Sequence, residues 1–139
     1  MTSLDTNVLI ALIIQNPETR SPTQSAFQTA LNHGPVSVCG AVFSEMLGFP
    51  GRNSDDLLRF FEAWGVVIEW DMNREDWMTA GNAYRGYVAR RQASGGGLPR
   101  RMVTDFLIGS HASVRGYTLL TADRRLYSAA FPTLNMKTI

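Results

Sequence analysis

Four carboxylates stand where chemistry is possible: Asp5, Glu45, Asp105 and Asp123. At helical spacing the neighbours of Glu45 are Ala41, Val42, Gly48 and Phe49, none of them polar. With Phe43, Met46 and Leu47 on the remaining sides, this reads as a buried helix. A lone carboxylate there must be paired, protonated or bound to a cation. Asp105 repeats the pattern, with Met102, Ile108, Gly109 and Ala112 on its face and Arg101 one turn back. A surface pair between Asp105 and Arg101 is the alternative reading. Asp5 and Asp123 each precede a helical stretch and would serve equally well as helix caps. Together, the four acids would form an anionic pocket, and carboxylates at close quarters repel unless a cation intervenes. A hard divalent ion with oxygen ligands, Mg2+ or Mn2+, meets that need. His33 sits at an expected helix end and His111 lies off the Asp105 face, so zinc is disfavoured. Carboxylate ligation with retained water suits phosphodiester hydrolysis.

The elements that would position these acids follow from local pattern. Residues 2–5 read as a strand, and a helix runs from Thr6 or Asn7 through Leu12 and Ile13. Pro17 and Pro22 bracket a loop before a helix over Thr23–Leu31, which ends at Asn32, His33 and Gly34. Pro35–Val38 reads as a strand and Gly40–Leu47 as a helix. Asn53 caps a helix to Trp64, with Gly65 ending it, and Val66–Ile68 form a brief strand. A long helix over Asn73–Gln92 is broken by SGGGLPRR, Ser94 to Arg101. Then come a helix over Met102–Val114, a strand over Tyr117–Leu120, a short helix from Asp123 and an edge strand over Met136–Ile139. Strands alternating with helices imply an α/β three-layer sandwich around a mostly parallel sheet of four or five strands. In such sheets, sites form at the carboxyl ends of strands, where Asp5 and Asp123 stand.

These residues resemble a known family. SLDTNVLIAL is similar to the opening signature of PIN domains: a hydrophobic strand, Asp, Thr, Asn, then an apolar helix. VSVCGAVFSEMLG resembles the second motif with its acid at Glu45, VTDFLIGSHA the third with Asp105, and LLTADRRL the fourth with Asp123. The order covers essentially the whole chain, 1–139, as one nuclease domain. The resemblance implies an endoribonuclease assisted by one or two Mg2+ or Mn2+ ions, held by Asp5, Glu45, Asp105 and Asp123 directly or through water. Thr6 and Thr121 would be supporting polar groups, and Asn7 would brace the loop after the first strand. The length is similar to that of VapC-type toxins, which imply a small antitoxin partner and a homodimer.

The basic residues are unevenly spread. Residues 1–69 carry three Arg against seven acids, whereas residues 70–139 carry nine Arg and Lys137 against five. Such asymmetry hints at contact with a polyanion. Arg90, Arg91, Arg100 and Arg101 flank Gly95–Gly97, a glycine run that departs from the family pattern. The segment reads equally as a basic loop closing over RNA phosphates or as a plain connector. Trp64, Trp70, Trp77, Tyr84 and Tyr87 would stack bases or, more commonly, pack in a core or dimer surface.

Composition bounds the rest. At 139 residues, 45% hydrophobic and 18% charged, the chain is long enough for a packed core without disulfides. Its one cysteine, Cys39, lies in the apolar run from Val36 to Val42 and reads as a small buried hydrophobe. A reducing cytoplasm is the expected compartment. MTSLDTNVLIALII has no basic head, so it does not read as a signal peptide, and no run is long enough to span a membrane. Two other functions remain: a PIN-like module that binds RNA or a partner without cutting, and a phosphatase using Asp5 as nucleophile. The second needs a lysine by the phosphate, and Lys137 is the only one.

Overall fold

The computed structural model describes residues 1–13, 17–97, 99–101 and 103–139, with residues 17–20 described by backbone alone. The expected helix start at Met102, and Leu98 in the glycine-rich segment, lie outside the described residues.

Five strands form one parallel sheet: β1 (Thr2–Leu4), β2 (Val36–Cys39), β3 (Val66–Glu69), β4 (Thr118–Thr121) and β5 (Met136–Thr138). Their order is β3-β2-β1-β4-β5. The described helices are α1 (Thr6–Ile13), α2 (Pro17–His33), α3 (Gly40–Leu47), α4 (Ser54–Ala63), α5 (Arg74–Ala93), α6 (Val103–Val114) and α7 (Arg124–Ala130). They complete an α/β/α sandwich. β1 and β2 hold buried residues along nearly their whole length, as parallel strands covered on both faces must. The edge strands β3 and β5 are more exposed.

The sheet begins at its centre. From β1 the chain steps outward through β2 to β3, then crosses back and adds β4 and β5 on the other side. The direction of winding reverses beside β1. Loops leaving β1 and β4 diverge there and open a crevice at the carboxyl ends of the two strands. Leu4 pairs in register with Leu120, so the residues just beyond them emerge side by side.

Caps set several helix starts. Asn53 accepts the Asp56 N–H at 2.9 Å. Asn73 and Asp76 form a reciprocal capping box at the head of α5. Asp76 is fully buried there and bonded by Arg115 Nη1 at 2.5 Å. α6 packs between α5 and α3. Cys39 is a buried free thiol.

The Pro17–Pro22 segment departs from expectation. It is helical, as the first part of α2, with Pro22 inside the helix. Pro17 takes the first helical position, where a missing N–H costs nothing. Pro22 forfeits one backbone bond, and burial of Phe27 and Ala30 on the same helix outweighs that local loss. No described helix is long and apolar enough to cross a membrane.

Candidate metal centre

The site begins where β1 and β4 end. Asp5 follows Leu4 and is only 3% exposed. Its Oδ2 accepts the Thr121 hydroxyl at 2.6 Å and the Asn7 side-chain amide at 2.5 Å. Asn7 Oδ1 accepts the Ala122 N–H at 2.9 Å, and Thr121 Oγ1 accepts the Asp123 N–H at 2.9 Å. Asn7 and Thr121 thus tie the turn after β1 to the turn after β4, with Asp5 between them.

Two helices bring further acids. Glu45 on α3 accepts the Thr6 hydroxyl at 2.6 Å through Oε2. Asp105 lies in the first turn of α6. Asp123 caps α7, accepting the Leu126 N–H at 3.0 Å through Oδ1, while Oδ2 pairs with Arg101. Its role as a cap and its place at the strand end therefore coexist.

The burial of these acids reverses expectation. Glu45 and Asp105 are half-buried, whereas Asp5 is the deep one. α3 is not apolar all round, because Ser44 and Gly48 are exposed and the Glu45 face borders a groove rather than core. Arg101 pairs with Asp123, not with Asp105. It reaches across the end of α6 to α7, a contact that spacing within one helix cannot reveal.

The electrostatics report the convergence. The Asp105 carboxyl is pushed up to about 6, first by burial and then by the negative charge of Asp5. Glu45 and Asp123 push in the same direction, and Arg101 opposes them. Burial also raises the Asp5 carboxyl, against the hydrogen bonds that favour its charged form, and Glu45 adds to the rise. Asp105 therefore feels the charge of the other three acids at one end of the sheet.

The predicted arginines gather next to this cluster. Arg90, Arg91, Arg100 and Arg101 line one groove of about 520 Å3, together with Arg125 and Asp123. The Gly95–Gly97 run closes the end of α5. Gly96 N–H donates to Arg91 O at 2.8 Å, Arg91 returns a bond to Gly96 O, and Gly95 and Gly97 take positive φ of 69° and 66°. Glycine is the residue that adopts those angles without strain. The Arg100 N–H donates to the Tyr87 hydroxyl at 3.0 Å, holding the far side of the turn to α5.

A model of the PIN domain matches residues 3–132. The chain belongs to the PIN domain family. Solved structures share the fold at low identity. VapBC-1 from nontypeable Haemophilus influenzae has a TM-score of 0.67 at 16% identity, over 99% of this chain and 96% of that one. VapBC2 from Rickettsia felis, bound to a DNA fragment from its promoter, gives 0.66 at 17%, over 99% and 97%. FitAcB from Neisseria gonorrhoeae gives 0.64 at 16%, over 98% and 96%. No curated protein sequence matches the chain.

PIN domains are generally nucleases that use divalent metal ions. Among the described residues, no three acid, histidine or cysteine side chains of this PIN domain already stand close enough to enclose one ion. Mg2+ characteristically retains several waters and takes one or two carboxylates directly. The donor set is all carboxylate. His111 is fully buried and sits 3.5 Å from Glu69, away from the acids, beside Arg115. Three carboxylates raise the Asp105 carboxyl and one cation, Arg101, opposes them. A divalent cation fits this deficit.

Two residues of the PIN domain site carried no sequence signal. Tyr127 of α7 is fully buried beneath Asp5, and its hydroxyl is raised well above its ordinary range by burial and by the charges of Asp5 and Asp105. The hydroxyl interacts with Asp5 without forming a hydrogen bond to it. Arg125 joins the arginine groove from the exposed start of α7. A tyrosine at the apolar spacing of a helix reads as core, and an arginine after a cap reads as surface.

Proposed function

We propose that this PIN domain is a metal-dependent endoribonuclease, the toxin of a toxin–antitoxin pair, acting on single RNA strands. The observation that carries the reading is the Asp105 carboxyl, lifted to about 6 first by burial and then by the charges of Asp5, Glu45 and Asp123, beside a groove of five arginines. These acids would hold Mg2+ or Mn2+ directly or through water. Such an ion, when bound, supplies positive charge to the phosphoryl oxygens and makes water a better nucleophile. The chain's own groups do the positioning. Thr121 and Asn7 fix the Asp5 carboxylate, and Thr6 fixes that of Glu45. Arg90, Arg91, Arg100 and Arg101 would grip flanking phosphates, for which guanidinium forks are suited.

The likeness to VapBC assemblies supports a small antitoxin protein as partner, and we propose a homodimer as the working form. An aspartyl-phosphate mechanism fits worse. Lys137 pairs in register with Leu120 on the edge strand β5, so β4 separates it from the strand that delivers Asp5.

The test is cleavage of a synthetic RNA library with Mg2+ or Mn2+. Wild type should cut, and Asp5→Asn and Asp105→Asn should each lose about 100-fold or more, as the loss of an essential electrostatic group does. Metal-dependent cutting at the wild-type rate in both variants would remove the acids from the mechanism.

A further inference from the structure

A second groove, of about 770 Å3, opens next to the acid cluster and has Glu45 in its wall. Its size suits a small flat ligand. Five aromatic residues are candidates for stacking, and packing separates them. Trp64 lies against Phe60 at 4.8 Å and Phe27 at 5.4 Å. Tyr84 and Tyr87 lie against Phe106 at 5.2 and 5.5 Å. Trp70 and Trp77 line the groove and remain 56% and 55% exposed.

Both groove indoles are anchored. Trp70 meets Phe43 edge-on at 4.9 Å, and its ring passes 3.6 Å from where a Cβ on Gly40 would stand. The Trp77 Nε1–H donates to Met72 O at 3.2 Å. Anchored, half-exposed indoles lose little freedom when a planar ring stacks on them.

The polar groups narrow the ligand. Ser44 spends its proton on Gly40 O at 3.0 Å, and Trp77 has already spent its own. Asp71 and Glu45 contribute carboxylates, so the groove wall offers acceptors, with the Thr104 hydroxyl as the side-chain donor still available. A phosphate is repelled there. An aromatic ring rich in N–H donors is welcome.

We propose that this groove is a stacking site for one unpaired, amino-bearing base (cytosine, adenine or guanine) of an RNA whose backbone crosses the acid cluster. The assignment rests on the nuclease reading only for the source of the base. Bases would go to the Trp70–Trp77 side and phosphates to the arginine side, with Glu45 shared between this second groove and the acids. Uracil presents a carbonyl where cytosine presents an amine, and faces the same acceptors less well.

The probe is a set of short 2′-O-methyl oligonucleotides added to the full chain without metal, with binding read from tryptophan emission and anisotropy. Oligo-C and oligo-A should quench emission and bind more tightly than oligo-U or an abasic strand of equal length. Trp77→Ala should weaken oligo-C binding about five-fold to a hundred-fold, with Trp77→Phe retaining part of it. Abasic strand binding equal to that of oligo-C, or a Trp77→Ala variant that binds as wild type, would overturn the proposal. So would unchanged oligonucleotide binding together with a changed oligomeric state of Trp77→Ala, which would mark the groove as a protein contact. Base-dependent quenching by a protein that cuts no RNA with Mn2+ would uphold the stacking site and reject the nuclease. Cutting with no base-dependent quenching would do the reverse.

Discussion

Asp5 is held by two neighbours and charged at a cost. Its bonds to Thr121 and Asn7 favour the carboxylate, yet burial raises its carboxyl overall, and Asp105 is lifted to about 6. An acid raised above its unfolded value of 3.8 prefers the proton in the folded state. Its contribution to stability is therefore full below about pH 4 and is lost as pH rises through about 6. In metal-free protein, Asp105→Asn removes that loss. Its melting temperature should gain on wild type as pH rises from about 4 to about 7, and a constant difference would contradict the assigned burial and repulsion. Added Mn2+ should stabilise wild type by binding only the folded form, and should do so less at low pH, where protons compete for the ligands.

Among the elements, α6 is the one whose placement decides the site, because it carries Asp105. It closely approaches Phe131, the residue that ends α7, at Gly109, where an added Cβ would fall 2.3 Å from Phe131 Cε2 and 2.7 Å from Cδ2. Gly109→Ala should destabilise the fold by about 1–3 kcal/mol through overpacking. Denaturant unfolding would measure it, and Phe131→Val in the same chain should recover part of the loss. Nothing around Gly109 in the sequence foretells this, since a glycine in an apolar helix gives no sign of what it touches. Caps were more legible. Asn53, read as a cap, begins α4 by bonding an amide three residues on, a local interaction that local sequence encodes, whereas Asn73 reads only as the first residue of its helix and proves to be its cap. The prolines of α2 misled for the same reason in reverse: Pro17 and Pro22 carry a loop signal, and the partners that override it lie elsewhere in the chain.

Across the whole molecule, the imbalance between a −4 first half and a +5 second half becomes a spatial fact. Acids from both halves meet at the strand ends, and arginines from α5, α7 and the segment between α5 and α6 form the neighbouring groove. RNA binding should weaken as salt rises, and Arg90→Gln or Arg100→Gln should each lower the slope of log K against log salt by about 0.7 if each contacts one phosphate. An unchanged slope in both would place the backbone elsewhere. The acids were legible in the sequence because each sits next to a distinctive apolar run. The pairing of Arg101 with Asp123 and the burial of Tyr127 under Asp5 were not, because they arise between segments that only the fold brings together.

The central position of β1 also has a temporal meaning. Asp5 is synthesised before the residues that complete its site, and the hydroxyl that orients it belongs to Thr121, 116 positions later. β1 must wait for β4 before it has neighbours on both sides. A nascent or truncated chain that stops short of residue 121 therefore carries three of the acids without the strand that assembles them. The cluster is completed only when β4 joins the sheet, so a chain cut before residue 121 should show none of the proposed cleavage.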